Sequence, residues 1–153
     1  MQGSNYQVDK TPLLELPLIK LEESKEKVIL ELVSKIIFLK SEKQKIIDNL
    51  STFVVLKYNL IDKNLDFSNL YELDFKQFIA ELKKKKVVLT LSEESEWMSY
   101  FNEKKAEAQE LKAKIEATDN EIDLMVYKLY DLTYDEVLIV DPATSITREV
   151  YGG

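Results

Sequence analysis

Residues 97–129 read WMSYFNEKKAEAQELKAKIEATDNEIDLMVYKL. Stepping by four and three from Trp97, the chain meets Phe101, Lys104, Ala108, Leu111, Ile115, Thr118, Ile122, Met125 and Leu129. That spacing brings one side chain per turn onto a single face of an α-helix, whereas a strand would alternate every second residue. Ala106, Ala108 and Ala113 keep parts of the surface low enough for a second helix to approach closely. Thr90 with Glu93, or Ser92 alone, has the side-chain chemistry that starts such a helix. The helix should end near Tyr130, with Asp131 in the left-handed conformation that Asn and Asp tolerate less well than Gly.

A second helical stripe lies upstream, from about Glu22 to Leu60. Ile29, Val33, Ile36, Ile47, Leu50, Val54 and Ile61 follow the same alternating steps, with Lys40, Lys43 and Lys57 at the remaining seam positions. This is a heptad-like pattern interrupted near its middle. A straight helix of ~39 residues would be ~58 Å long and needs a partner along much of its length. Two such helices of similar length predict an antiparallel hairpin with the seams facing each other. The join begins with the turn formers Asp62, Asn64, Asp66, Ser68 and Asn69. Asp74 and Gln77 then form a capping box for a short helix that buries Phe75, Phe78, Ile79 and Leu82 and ends in Lys83-Lys84-Lys85-Lys86. Thr133 and Glu136 open a short C-terminal helix that Asp141-Pro142 stops.

The expected fold class is therefore all-α: a long, coiled-coil-like antiparallel hairpin with a short connecting helix and a short C-terminal helix. Residues 21–141 form the helical domain, 142–153 a loosely held tail, and 1–20 an extended lead-in. In the lead-in Pro12 and Pro17 disfavour helix, and Leu14 to Ile19 alternates like a short edge strand.

Composition narrows the chemistry. Only three Gly and three Pro, beside 32 % charged and 45 % hydrophobic residues, suit long helices better than a loop-rich enzyme. The sequence has no Cys and no His, which removes thiolate chemistry, cysteine-ligated metals and the commonest general base. Glycine-rich phosphate loops, nucleophile elbows, zinc motifs, the Asn/Asp-Pro-Pro-aromatic signature of methyltransferases and the Pro-Asp…Asp/Glu-X-Lys pattern of many nucleases are all absent from it. No catalytic residue, cofactor site or metal site is assigned. With no signal-peptide layout at the start and no membrane-spanning run, a cytoplasmic location is expected.

Charge is uneven: residues 20–86 balance at +3 and residues 87–153 at −9. Phosphate binding draws on a basic surplus, so the first half is the plausible contact face. Lys83, Lys84, Lys85 and Lys86, with Lys40, Lys43 and Lys45, are the candidate phosphate contacts, although a Lys run at a helix C-terminus also suits the helix dipole. Asp119 and Asp123, one turn apart with Glu121 nearby, read as a solvated face rather than a cation site. Tyr127, Tyr130 and Tyr134, like Trp97 and Tyr100, read as packing residues rather than base-stacking ones.

Three stretches carry a family resemblance. They are Leu70 to Leu82; Glu96-Trp97 followed by Phe101, Ala106 and Leu111; and above all Thr118 to Val137. They resemble the C-terminal end of type II (IIG-like) restriction–modification enzymes, the adenine-specific methyltransferases with a TaqI-like specificity domain. In that family a Leu-Tyr-Gly-Leu-Thr segment closes the chain; here Asp131 stands in place of the Gly. The lead-in Leu14 to Ile19 is similar to the exit from the family's target recognition domain. The resemblance implies a non-catalytic helical brace whose parent is an adenine-specific DNA methyltransferase, with endonuclease activity an open alternative. Its implied partners are double-stranded DNA through the parent, and the upstream methyltransferase and target recognition domains. S-adenosylmethionine would bind upstream, not in this chain. The reading that competes is a protein-interaction or dimerisation module, a homodimer without DNA contact, using the long seams.

Overall fold

The computed structural model describes residues 21–60 and 67–152, and all regular structure among them is helical. Five helices follow in order: α1 Glu23–Lys57, α2 Phe75–Lys84, α3 Leu91–Leu129, α4 Tyr134–Val140 and α5 Arg148–Gly152. α1 and α3 run antiparallel. Phe53 and Tyr58 at the end of α1 meet Trp97 at the start of α3, while Leu21 and Ile29 share a cavity wall with Met125 and Leu129. The expected strand at Leu14–Ile19, the turn formers Asp62, Asn64 and Asp66, and Ile61 lie outside the described residues.

Local chemistry sets the helix boundaries. Asp74, Thr90 and Thr133 each accept the backbone N–H three residues on, and Gln77, Glu93 and Glu136 reach back to the capping residue's own N–H. The opposite ends share a second device. Asn59, Lys86 and Asp131 have φ of 48°, 62° and 51°. After each, an apolar residue donates its N–H back into the last turn: Leu60 to Val55, Val87 to Leu82, and Leu132 to Tyr127. These are Schellman motifs, in which the left-handed residue satisfies the last carbonyls and the apolar one returns to the core. The left-handed form costs a side-chain-bearing residue about 1–2 kcal/mol. Lys86→Gly and Asp131→Gly should therefore each stabilise the fold by up to about 1 kcal/mol, read as a higher midpoint of urea unfolding.

The α3 seam forms as spaced. Trp97, Phe101, Ala108 and Thr118 are buried, and Leu111, Ile115, Ile122, Met125 and Leu129 are half-buried. Thr118 satisfies its hydroxyl by donating to the Lys114 carbonyl at 2.8 Å. The α1 seam requires a correction. Ile36, Ile47, Leu50 and Val54 are buried and Ile29 half-buried, but Val33 is 39 % exposed and Lys40 lies outside the seam. Leu32 and Leu39 take those two places. The seam therefore runs Ile29, Leu32, Ile36, Leu39, Lys43, Ile47, Leu50, Val54, stepping three-four through its first half. A step of four from Lys43 to Ile47 then shifts the register. A neighbouring leucine fills each position without dehydrating a lysine, so burial favours the three-four alternative.

The main core sits at the closed end of the hairpin. Phe67, Leu70, Phe78, Leu82 and Val87 of the connector and α2 pack over Ile47, Leu50 and Val54 of α1 and Trp97, Phe101 and Ala108 of α3. Its centre is aromatic: Phe78 lies 5.4 Å from Phe67, 5.4 Å from Trp97 and 5.0 Å from Phe101, centroid to centroid. The Trp97 indole N–H donates to the Tyr58 hydroxyl at 2.6 Å. Tyr71, on the connector, lies between Lys43 and Lys112, whose Nζ atoms stand 4.9 and 4.8 Å from its ring centroid.

The C-terminal residues also differ from expectation. The described residues after Pro142 are packed rather than loosely held. Ile146 is buried with Tyr127 and Val137 in a second apolar cluster, flanked by Leu124, Leu132 and Tyr151. Tyr151 donates to the Leu132 carbonyl, Tyr134 to the Ile146 carbonyl at 3.1 Å, and Ser145 to Asn120 at 2.7 Å. An Arg148–Asp135 ion pair and a Tyr134–Tyr151 ring contact complete the closure. Sequence periodicity misses this unit because α4 and α5 are too short to display a repeat.

Candidate functional site

The expected phosphate contacts do not form one patch. Lys83–Lys86 finish α2 and its Schellman turn; Lys84 pairs with Glu81 at 2.5 Å. Lys43 is engaged above Tyr71, and Lys45 pairs with Glu42 at 2.6 Å. Lys40 is exposed and stands fourteen residues, ~21 Å of helix, before Val54 at the closed end.

The hairpin instead offers apolar surface along both sides of its seam. On one side a cavity of about 440 Å³ is lined by Phe53, Lys57, Glu96, Trp97 and Tyr100. Phe53 lies 5.5 Å from Trp97 and 5.7 Å from Tyr100, and Lys57 Nζ stands 5.2 Å from the Trp97 centroid. Trp97 is buried beneath, and Phe53 is left exposed at the rim. The same flank continues past Phe38, in a groove with Ile46 and Leu111, to a cavity between Ile29 and Met125 at the open end. Exposed Val28 adds to this flank. On the other side the connector and α2 cover only the closed-end half of the hairpin, leaving Leu30, Val33 and Ile37 of α1 uncovered.

Among the described residues, no three of Asp, Glu, His or Cys are placed to hold a metal ion, on the acidic face of α3 or elsewhere. Burial, with Asp119 and Asp141 nearby, raises the Asp123 carboxyl above its ordinary value. The hydrogen bonds from Thr90 hold the Glu93 carboxyl below the usual range, and those from Thr133 do the same for Glu136. Tyr127 donates to Asp141 at 2.8 Å, and burial with that bond pushes its phenol up to about 12. A folded pKa above the unfolded value of about 10 means the stabilisation is complete below pH 10 and lost as pH rises through 12. In an alkaline titration, tyrosinate absorbance should include a step near pH 12, and Tyr127→Phe should remove that step.

A family model described as a domain of unknown function, DUF8810, matches residues 22–126. The chain belongs to this family. No curated protein and no solved structure matches the chain. The DUF8810 match begins where α1 begins and takes in the connector, α2 and nearly all of α3. The DUF8810 region therefore holds the hairpin and its main core. Tyr127, Val137 and Ile146, the buried residues of the second cluster, lie beyond it. No helix of the described DUF8810 residues is long and apolar enough to cross a membrane.

Proposed function

We propose that this chain is the non-catalytic helical part of a larger DNA-modifying protein, an adenine-specific methyltransferase, where it braces the target recognition domain and assists DNA binding. The observation that carries the docking reading is the flank of exposed apolar residues, Val28, Phe38 and Phe53, beside a core that is otherwise well closed. Buried side-chain polar atoms among the described residues all have partners, so these exposed residues do not reflect a poorly formed interior. Apolar surface in a row along a helix marks a contact with another protein. The resemblance of Thr118 to Val137 names the partner class, and Lys83–Lys86 add phosphate contacts that position without reading sequence.

Co-expression with the methyltransferase and target recognition domains of the parent protein tests this reading. The chain and these domains should co-purify, and Phe53→Asp should abolish the association while leaving the helical circular dichroism unchanged. Failure of the wild-type chain to co-purify with the co-expressed domains would overturn it. For the DNA contribution, changing Lys83–Lys86 to Glu should weaken duplex binding by the complex at low salt. Equal binding by wild type and variant removes the lysines from the contact.

A further inference from the structure

A helix that packs on one side alone shows one apolar row, yet the first half of α1 shows two. The seam row is Ile29, Leu32, Ile36 and Leu39. The second row is Leu30, Val33 and Ile37, at the same spacing, and these residues are 58 %, 39 % and 63 % exposed. With ~100° of rotation per residue, Glu26 and Lys40 lie on this second face too, one turn before Leu30 and one turn after Ile37. Neither forms an ion pair among the described residues, whereas Lys45, Lys104, Lys112 and Lys114 find carboxylate partners on their own helices. Further along α1 the same flank is occupied, because Val55 packs against the cluster formed with α2 and the connector. The covering layer stops before Ile37.

The row Glu26, Leu30, Val33, Ile37, Lys40 is its own complement when reversed. A two-fold axis passing near Val33 and Ser34 brings Leu30 onto Ile37 of a second copy. It also seats Val33 beside its counterpart and sets Glu26 against Lys40 at both ends. Isologous interfaces demand this reciprocity, and a random surface row has no reason to show it. Parallel stacking would instead oppose Glu26 to Glu26 and Lys40 to Lys40.

We propose that Leu30, Val33 and Ile37 form a homodimer interface in which α1 packs antiparallel on α1 of a second copy, closed at each end by a Glu26–Lys40 pair. This surface lies on the opposite side of the hairpin from Phe53, so a brace can be dimeric and still offer its docking flank. Three apolar side chains per copy cover less than the ~800 Å² per partner of a standard interface, so the dimer is weak and forms at high concentration.

Sedimentation velocity on the full chain, from about 10 to about 500 μM, reads the proposal directly. The wild-type weight-average sedimentation coefficient should rise with concentration, and Val33→Asp should hold it at the monomer value with helicity unchanged. Glu26→Lys and Lys40→Glu should each raise Kd tenfold or more, and the two together should restore it. That rescue separates a charge pair from a change in helix stability. A wild-type monomer at every concentration overturns the proposal, as does a double reversal that fails to restore association. Either result leaves the brace reading standing, because that is judged by co-purification through the Phe53 flank.

Discussion

Phe78→Ala should lower the unfolding free energy by about 3–5 kcal/mol, the cost of removing a fully buried aromatic ring from a packed core. Phe78 is the point where the elements of the closed end converge. Its ring touches Phe67 from the connector, Phe75 on its own helix, and Trp97 and Phe101 on α3. α2 is a short helix held mainly by the side chains it buries, Phe78 and Leu82. Losing the ring opens a cavity that α1 and α3 cannot collapse into, because their own seam fixes their separation. Set against a total of about 5–15 kcal/mol for a typical domain, this takes away a large part of the stability. A urea titration followed by Trp97 fluorescence measures it at the affected site. A loss below about 1 kcal/mol would show that α2 is not integral to the core.

The second large effect is local. Val137→Asp places a carboxylate in the C-terminal cluster, whose other buried residues, Tyr127 and Ile146, carry no charge to pair with it. Burying an unpaired charge costs several kcal/mol, more than a cluster of this size supplies. α4 and α5 should detach while the hairpin survives, because the main core shares no buried residue with this cluster. Limited proteolysis should then cut between residues 141 and 152, with only a small loss of helical circular dichroism. Cooperative unfolding of the whole chain would instead show that the two clusters stabilise one another. The Arg148–Asp135 pair should hardly matter, since both side chains are exposed.

The hairpin was legible because α3 repeats its pattern over nine steps, and because Thr90, Asp74 and Thr133 carry capping boxes recognisable from residue type alone. Asp131 was legible for a similar reason: in a chain so poor in Gly, an Asp just after the last periodic position is a plausible left-handed residue. The α1 register was not fully legible. Leu32 and Val33 are both apolar, and Leu39 stands beside Lys40, so two seams fit the first half by spacing alone. Only contact with α3 decides between them. The C-terminal unit was illegible for another reason. Its cohesion comes from tyrosine hydroxyls that donate to distant carbonyls and carboxylates, Tyr127 to Asp141 and Tyr151 to Leu132, and such bonds leave no periodic trace. The lysines were misleading in a third way, since charge can be counted along a sequence but its neighbours cannot. Tyr71, with no periodic partner of its own, proved to be what Lys43 faces.

One helix belongs to both clusters. Phe101 anchors α3 in the first and Tyr127 in the second, and the segment between them is unbroken helix. Its 26 residues correspond to ~39 Å at 1.5 Å each. The molecule is thus a ruler: it holds two separately built ends at a set spacing and sets their rotation about a common axis. Inserting a single residue between Thr118 and Tyr127 would lengthen it by only ~1.5 Å yet turn one end by ~100° against the other. Anything that grips both ends at once would register the twist far more than the length.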